Sequence, residues 1–313
     1  MAKHAKLTIF ILYEPMRIEI VFPCHNRREI TLQCLRSLAR IDKTGLDVHV
    51  IIVDDGSTDG TSDAIRAEFP ETEIIAGDGN LWFTAGTNRG IEAALKYEPD
   101  YVLCINDDEI FDSRFLRRMV DTAEANPRSV IGALLVLWDD MKTVFQVAPR
   151  WKTWQGGWRH LMQQTVHTVP DKPFEVGVIV GNCVLIPTEA IRECGLMDER
   201  NFVNFGDAEW TPRMRKRGWR LLIEPRARVF CQPNLPPKSL RNQSWQELYQ
   251  TLWADRRKLQ NLRVQFRLLW VSAPTKAHAV AAFTVHVGRL GLQSTRLWRE
   301  KPDKEKSLAE DYA

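Results

Sequence analysis

Two pairs of adjacent aspartates, Asp54–Asp55 and Asp107–Asp108, each close an apolar run of the chain, VHVIIV (48–53) and YVLCIN (101–106). Like charges side by side repel, and more strongly where solvent is excluded. A carboxylate at the first place can accept hydrogen bonds from a nucleobase or a ribose. An adjacent pair at the second suits a divalent cation, which relieves the repulsion and offers open positions to a diphosphate. The plainer alternative is that both pairs open turns and cap the helices that follow. Their combination favours a ligand more than either pair alone.

Each pair must be delivered by a strand. Residues 18–22, 48–55, 74–76 and 101–105 read as strands, the second continuously apolar as a parallel strand covered on both faces should be. A helix is expected over Arg28–Arg40, with Ile30, Leu35 and Leu38 on its apolar side. GSTDGTSDAIRAEF (56–69) reads as a turn and helix start with Ser57, Thr58 and Asp59 as capping candidates, and further helices are expected over Thr87–Tyr97 and Ser113–Asn126. This alternation predicts an α/β sandwich around a mostly parallel sheet. In such sheets ligands bind beyond the carboxyl ends of the strands, where both aspartate pairs fall. After about residue 130 the alternation loosens. IGALLVLW (131–138) and VGVIVGNCVLIP (176–187) read as strands, with a Trp-rich stretch, RWKTWQGGWRH, between them.

The 313 residues, 44% hydrophobic and 27% charged, have the composition of an ordinary soluble globular protein. The net charge of +3 conceals an asymmetry: Arg241–Lys301 carries 11 Lys and Arg against 3 Asp and Glu, a net of +8, which leaves −5 on the rest. The six cysteines are scattered with no CxxC pair, and Cys34 and Cys104 sit in apolar segments, so free thiols in a reducing, cytoplasmic setting are expected. The apolar run Leu7–Tyr13 is too short to span a bilayer and has no small-residue cleavage site, so a signal peptide is not expected and residues 1–15 read as a tag, an upstream start or a loose arm. No stretch reaches the roughly 18 uncharged apolar residues of a membrane span.

Five segments, FPCHNR (22–27), VDDGSTDGT (53–61), NDDEIF (106–111), VGNCVLIPTEAIRECGLMDE (180–199) and GDAEWTPRMRKRGWRLLIEP (206–225), together resemble the inverting glycosyltransferases of family 2 in order and spacing, over about residues 18–230. GDGNLWFTAGTNRG (77–90) is similar to the corresponding stretch of rhamnosyltransferase-like members. The resemblance implies a GT-A fold, a Rossmann-like nucleotide-diphospho-sugar domain over residues 16–235; past Pro236–Pro237 the sequence turns basic and rich in Trp and Leu, so 236–313 reads as a basic amphipathic helical extension. It implies a donor site at Pro23, His25, Arg27, Asp55, Trp82, Asn88, Arg89, Asn106, Asp107 and Arg213, and Mg²⁺ or Mn²⁺ on Asp108. His25 stands where the family usually has a Tyr and can still stack a flat ring. Asp55 matches the carboxylate that accepts the base N–H, and Asp107 the ribose-side residue. Asp207 matches the general base, with Glu209 as second candidate. A weakly acidic acceptor hydroxyl must lose its proton as it attacks the anomeric carbon, and a positioned carboxylate can take it. One departure concerns the metal. Where many members carry a His after this last segment, the chain reads ARVFCQPN (227–234), and a thiolate is a poor match for Mg²⁺ or Mn²⁺.

The donor implied is dTDP-rhamnose, with a UDP-galactofuranose or UDP-hexose as the alternative, and the acceptor a glycan or lipid-linked glycan of a bacterial surface polysaccharide. A non-catalytic relative that only holds nucleotide sugar is a further alternative. From residue 244 onward Trp245, Leu248, Leu252, Trp253, Leu259, Leu262, Phe266, Leu269 and Trp270 recur at helical spacing among Arg256, Arg257, Lys258, Arg263 and Arg267. Such a helix over 244–298 suits an anionic membrane surface, which would put the protein at the inner face of the cytoplasmic membrane. Packing on the catalytic body or a homodimer contact would use the same pattern. Trp151, Trp154 and Trp158 could form a platform for a sugar ring or equally be structural. The last dozen residues are expected to be disordered. No base-reading motif accompanies the basic charge, so nucleic acid is not an expected partner.

Overall fold

The computed structural model describes residues 14–147, 150–159, 164–232, 240 and 243–293. Most of the expected N-terminal arm, the boundary near residue 235 and the C-terminal dozen lie outside them. The first half alternates as the apolar runs predict: β1 (Met16–Cys24), α1 (Arg28–Leu38), β2 (Leu46–Asp54), α2 (Thr61–Glu68), β3 (Glu73–Ala76), α3 (Trp82–Ala94), β4 (Tyr101–Ile105), β5 (Glu109–Phe111) and α4 (Phe115–Ala125). The second half brings β6 (Ser129–Leu137), β7 (Val144–Gln146), the small hairpin β8 (Arg150–Lys152) and β9 (Gly157–Arg159), β10 (Phe174–Glu175), β11 (Cys183–Pro187), α5 (Thr188–Cys194), α6 (Asp207–Lys216) and β12 (Arg220–Cys231). Three α-helices end the described chain: α7 (Trp245–Tyr249), which runs on into a π-helical turn over Gln250–Ala254, α8 (Leu262–Ser272) and α9 (Lys276–Gln293).

The main sheet runs β10-β12-β6-β11-β4-β1-β2-β3, with β5 on β12 and β7 on β6. Pairing is parallel through β4-β1-β2-β3 and between β6 and β12, while β11 is antiparallel to both its neighbours. Apolar side chains leave both faces of this sheet. On one, Leu32, Leu35 and Leu38 of α1, Ile65 of α2 and Phe115, Leu116 and Met119 of α4 complete a core. On the other, Ile91 and Ala94 of α3, Ile191 of α5 and Trp210 and Met214 of α6 complete a second. All six cysteines are free and buried, as small hydrophobes are.

Three local expectations need correction. Helix α3 begins at Trp82, five residues before Thr87, because the carboxylate of Asp55 accepts N–H bonds at its start. Helix α2 is preceded by Gly60, with no side chain capping from that position. Asp59 accepts the Thr61 N–H at 3.1 Å, but Ser57 and Thr58 turn instead to Asn26. The apolar segment 176–187 is a strand only from Cys183.

The terminal helices divide the Trp- and Leu-rich pattern between two uses. Val264 and Leu268 of α8 pack on Phe202, Phe205 and Ala208 of the body. Leu269, Ala279 and Ala282 pack on Trp151, which meets Trp158 edge to face across the β8–β9 hairpin at 5.5 Å. Trp154 remains 82% exposed, so the three tryptophans do not form one continuous platform. Among the described residues no helix is long and apolar enough to cross a membrane.

Candidate active site

Parallel neighbours β1, β2 and β4 are in register with Cys24 opposite Asp54 and Val21 opposite Cys104. Their carboxyl ends therefore open on one place, a cavity of ≈ 540 Å³. Of the donor and metal residues named from sequence, Pro23, His25, Arg27, Asp55, Trp82, Asn106, Asp107 and Asp108 line it; Cys24, Gly79, Phe83 and Asn204 complete the wall.

The first aspartate pair divides its labour. Asp54 turns to the start of α2, accepting the Ser57 N–H at 2.9 Å and the Ser62 hydroxyl. Asp55 faces the cavity and organises the loop after β3. Its Oδ1 accepts the Gly79 N–H at 2.8 Å, and its Oδ2 the N–H groups of Leu81 and Trp82 at 3.0 Å each. The approach is so close that a Cβ on Gly77 would lie 2.7 Å from Asp55 Oδ1. These bonds hold Trp82 at a φ of 57°, a left-handed conformation that bulky residues rarely adopt and that tends to persist where surrounding structure over-determines it. His25 Nδ1 lies 2.5 Å from the Asp55 carbonyl oxygen, and its Nε2 lies 3.0 Å from the side-chain amide of Asn26. A carbonyl only accepts, so Nδ1 carries the proton and the ring is fixed at the cavity wall.

The second pair meets a guanidinium. Arg27, just before α1, donates from one Nη to Asp107 Oδ1 at 2.8 Å and from the other to Asp108 Oδ2 at 2.9 Å. The Thr31 hydroxyl reaches Asp107 Oδ2 at 3.4 Å. Burial still dominates at Asp107 and pushes its carboxyl up to about 6, with Arg27 opposing and Asp108 adding to the rise. Behind the pair, burial and then Asp108 hold the Glu109 carboxyl well above the usual carboxylate range.

Phe83 also lines a second, small space that contains Gly181 and Asp207. The Gly181 N–H donates to Asp207 Oδ2 at 2.7 Å. A Cβ on residue 181 would stand 2.6 Å from Asp207 Cβ, so glycine is required for this contact. Burial raises the Asp207 carboxyl, opposed by that N–H. The remaining predicted residues line neither space. Glu209 is buried and forked by Arg213 at 2.7 and 3.1 Å, one helical turn on, while Arg213 also donates to the carbonyl oxygens of Cys194 and Leu196. This pair braces α6 against the segment after α5. Asn88 is buried and bonds Met197 and Glu199, and Arg89 is exposed on α3.

Residues 19–195 match the family described as Glycosyl transferase family 2. The chain belongs to that family. It is 27% identical over 208 residues to the N-acetylglucosaminyl-diphospho-decaprenol L-rhamnosyltransferase of Mycobacterium tuberculosis, a match that takes in 58% of this chain and 66% of that relative. It is 26% identical over 219 residues to the succinoglycan biosynthesis protein ExoA of Rhizobium meliloti, covering 68% and 62%. The chain thus spans just under two thirds of the length of these relatives. Among solved structures it is similar to GalNAc-T7 with UDP, GalNAc and Mn²⁺ (TM-score 0.58, 13% identity, covering 88% of this chain and 57% of that one). It is also similar to the mannosyltransferase PcManGT from Pyrobaculum calidifontis with GDP-Man and Mn²⁺ (TM-score 0.51, 15% identity, 90% and 75%). The family 2 chain therefore has the GT-A fold, followed by a helical part.

Whether its residues suit a divalent cation depends on their chemistry. Among the described residues no three His, Cys, Asp or Glu side chains come together as a ligand set. At the position of the absent His, Cys231 is buried with Sγ 3.9 Å from Glu109 Oε1. The adjacent hard carboxylates of Asp107 and Asp108 do line the cavity, and Mg²⁺ or Mn²⁺ is commonly held by one or two carboxylates together with substrate phosphates. The donor set fits a cation that arrives with a diphosphate. Sequence reasoning missed Thr31, Phe83 and Asn204, as well as Arg257 beyond α7. The guanidinium of Arg257 lies 4.7 Å from the Trp82 ring centroid, and its carbonyl oxygen accepts from Asn204 at 3.4 Å. Only the basic cluster Arg256, Arg257 and Lys258 hinted at it, and spacing alone gives no distance to the cavity.

Proposed function

We propose that this family 2 member is an inverting glycosyltransferase that moves a sugar, rhamnose from dTDP-rhamnose, to a hydroxyl of a glycan or lipid-linked acceptor in bacterial surface polysaccharide synthesis. The observation that carries the reading is the meeting of His25, Arg27, Asp55, Asp107 and Asp108, from three strand ends, on one cavity. The rhamnosyltransferase relative supports the choice of sugar and of a lipid-linked acceptor.

In this reading His25 stacks on the base and the Asp55 side of the cavity receives its polar edge. Asp107 takes the ribose, while Asp108 holds Mg²⁺ or Mn²⁺. When bound, that cation would offset the charge developing on the leaving diphosphate. Arg27 lines the same cavity and offers the leaving group a planar, permanently charged donor. Asp207 accepts the proton of the acceptor hydroxyl, whose oxygen bonds to the anomeric carbon as the carbon–oxygen bond to the diphosphate breaks. One displacement inverts that carbon. Burial raises the Asp207 carboxyl, which makes its carboxylate a stronger base for this proton. Glu209, neutralised by Arg213, serves as a brace. Residues 16–235 form the transferase unit and 236–313 the extension, whose outer face rests on an anionic membrane surface.

The test is a panel of dTDP- and UDP-sugars with Mg²⁺ or Mn²⁺, read by binding and by donor hydrolysis. dTDP-rhamnose should bind, and Asp108→Ala should abolish its metal-dependent binding. Asp207→Asn should keep donor binding and lose transfer. Full transfer by Asp207→Asn, or no nucleotide sugar bound at all, overturns the assignment.

A further inference from the structure

The carboxylates at the end of β4 are not waiting for a cation, because they already have one. Arg27 spans them with one Nη on each, at 2.8 and 2.9 Å. The Asp107 side chain is nearly buried and that of Asp108 is 20% exposed. The guanidinium is delivered by the last residue before α1, where the Arg27 carbonyl oxygen also accepts the Thr31 N–H at 2.9 Å. The Thr31 hydroxyl in turn bonds the second oxygen of Asp107. One short segment thus contributes both the positive charge and the hydroxyl that hold this pair.

A divalent cation on Asp108 would have to share its carboxylate with a fixed positive charge. Two cations on one carboxylate repel, and the repulsion is strong in a partly desolvated site. Nor can the protein outbid the arginine with further ligands. The third-ligand position is Cys231, a buried thiol turned to Glu109, and no three-ligand group exists among the described residues. A donor changes the balance, since its diphosphate supplies oxygens both to the metal and to a guanidinium, whose planar fork matches phosphate geometry. Arg27 is on the cavity wall and can exchange one anion for the other without leaving it.

We propose that Arg27 is the resident counter-ion of the Asp107–Asp108 pair and couples metal binding to donor binding. The carboxylates take a divalent cation only as Arg27 passes to the donor's diphosphate. The inference rests on the donor-site reading above. It makes Arg27 a donor-binding residue that also neutralises the carboxylates before the donor arrives, and gives free protein a weak metal site that becomes strong when nucleotide is present. Linkage requires the converse: metal must tighten nucleotide binding by the same factor.

Mn²⁺ binding to the full-length protein, followed by the paramagnetic resonance of free Mn²⁺, tests this without recourse to activity. Wild type should bind Mn²⁺ weakly alone and at least about tenfold more tightly with dTDP or UDP, within the usual range for coupled sites. Arg27→Gln should bind Mn²⁺ at least about tenfold more tightly than wild type without nucleotide, and lose most of the nucleotide enhancement. Arg27→Lys, which keeps the charge but not the fork, should fall between them, and Asp108→Ala should abolish the gain in the Gln background. Thermal melting confirms that each variant is folded; if Arg27→Gln does not fold, an unchanged metal affinity in Arg27→Lys counts against the proposal. Wild type that binds Mn²⁺ equally well with and without nucleotide overturns the coupling. So does an Arg27→Gln whose Mn²⁺ affinity equals wild type while it still binds nucleotide. If wild type binds neither dTDP nor UDP, with or without Mn²⁺, the donor-site reading itself has failed.

Discussion

Asp107 is held in two ways that oppose each other. Burial disfavours its charge, while Arg27 and Thr31 favour it, and burial wins, leaving the carboxyl at about 6 against an ordinary value of 3.8. A group raised in the folded state costs stability once it ionises. Below about pH 4 the carboxyl is protonated folded and unfolded alike, and the cost is absent. It grows as pH rises through the window between 3.8 and about 6 and is complete above it. A carboxyl displaced this far costs the fold at most about 3 kcal/mol. Asp107→Asn, a permanent mimic of the neutral acid, should therefore melt above wild type at pH 7.5, with the gap closing towards pH 4. A gap that does not change between those pH values would show that burial of the charge is not what Asp107 costs the fold. The neighbouring pair Glu209–Arg213 makes the opposite point. Its i,i+4 spacing on α6 is readable from the sequence as an ion pair along one helix, and the fork at 2.7 and 3.1 Å realises that pattern around a buried Glu209.

At the level of elements, the strands that carry the aspartate pairs were legible because a buried parallel strand is a continuous apolar run. What could not be read were the places where one side chain reorganises another segment. Asp55 starts α3 early by receiving the N–H groups of Leu81 and Trp82, an anion at a helix N-terminus supplied from a different strand. Strand β12 escaped notice because Pro225 and three arginines interrupt its apolar pattern, and its register with β6 shifts between Glu224 and Arg228. The contact of Arg257 with Trp82 is the least legible of all, since the two are far apart in sequence and both are ordinary residue types for a surface. It ties the extension to the donor cavity. A cation–π contact at an exposed site is worth about 0.5–1 kcal/mol, so Arg257→Ala should weaken donor binding by about two- to fivefold. Its melting temperature should move little, because the Arg257 side chain is half exposed. Titration of a nucleotide sugar into both proteins decides it; equal affinities would reduce Arg257 to a bystander at the rim.

For the whole molecule, the division of charge acquires a physical setting. The helices after residue 244 use one set of apolar residues, Val264, Leu268 and Leu269 among them, to grip the body. A different set stays outside: Trp245, Tyr249 and Trp253 are exposed and join Leu248, Leu252, Leu262, Val287 and Leu290 around a groove of ≈ 580 Å³. Arg263 lies 4.3 Å from the Trp253 ring centroid, which places a positive charge beside the apolar face, and the segment 241–301 carries a net of +8. An aromatic and aliphatic face with Arg263 beside it, in a segment of net positive charge, matches the interface of an anionic bilayer, where each nearby basic residue contributes about 1 kcal/mol. The packing alternative accounts for the first set of residues but leaves Trp245, 89% exposed, without a use. Full-length protein should therefore sediment with vesicles rich in phosphatidylglycerol, and much less with phosphatidylcholine alone or in high salt, which screens the electrostatic part. Trp245→Glu combined with Trp253→Glu should reduce that binding by about tenfold or more, with the fold intact because neither indole is buried. Were the double variant to bind vesicles as wild type does, the bilayer would have to be given up as the occupant of this face. A second copy of the chain would then be the reading to pursue, through the concentration dependence of its mass in solution.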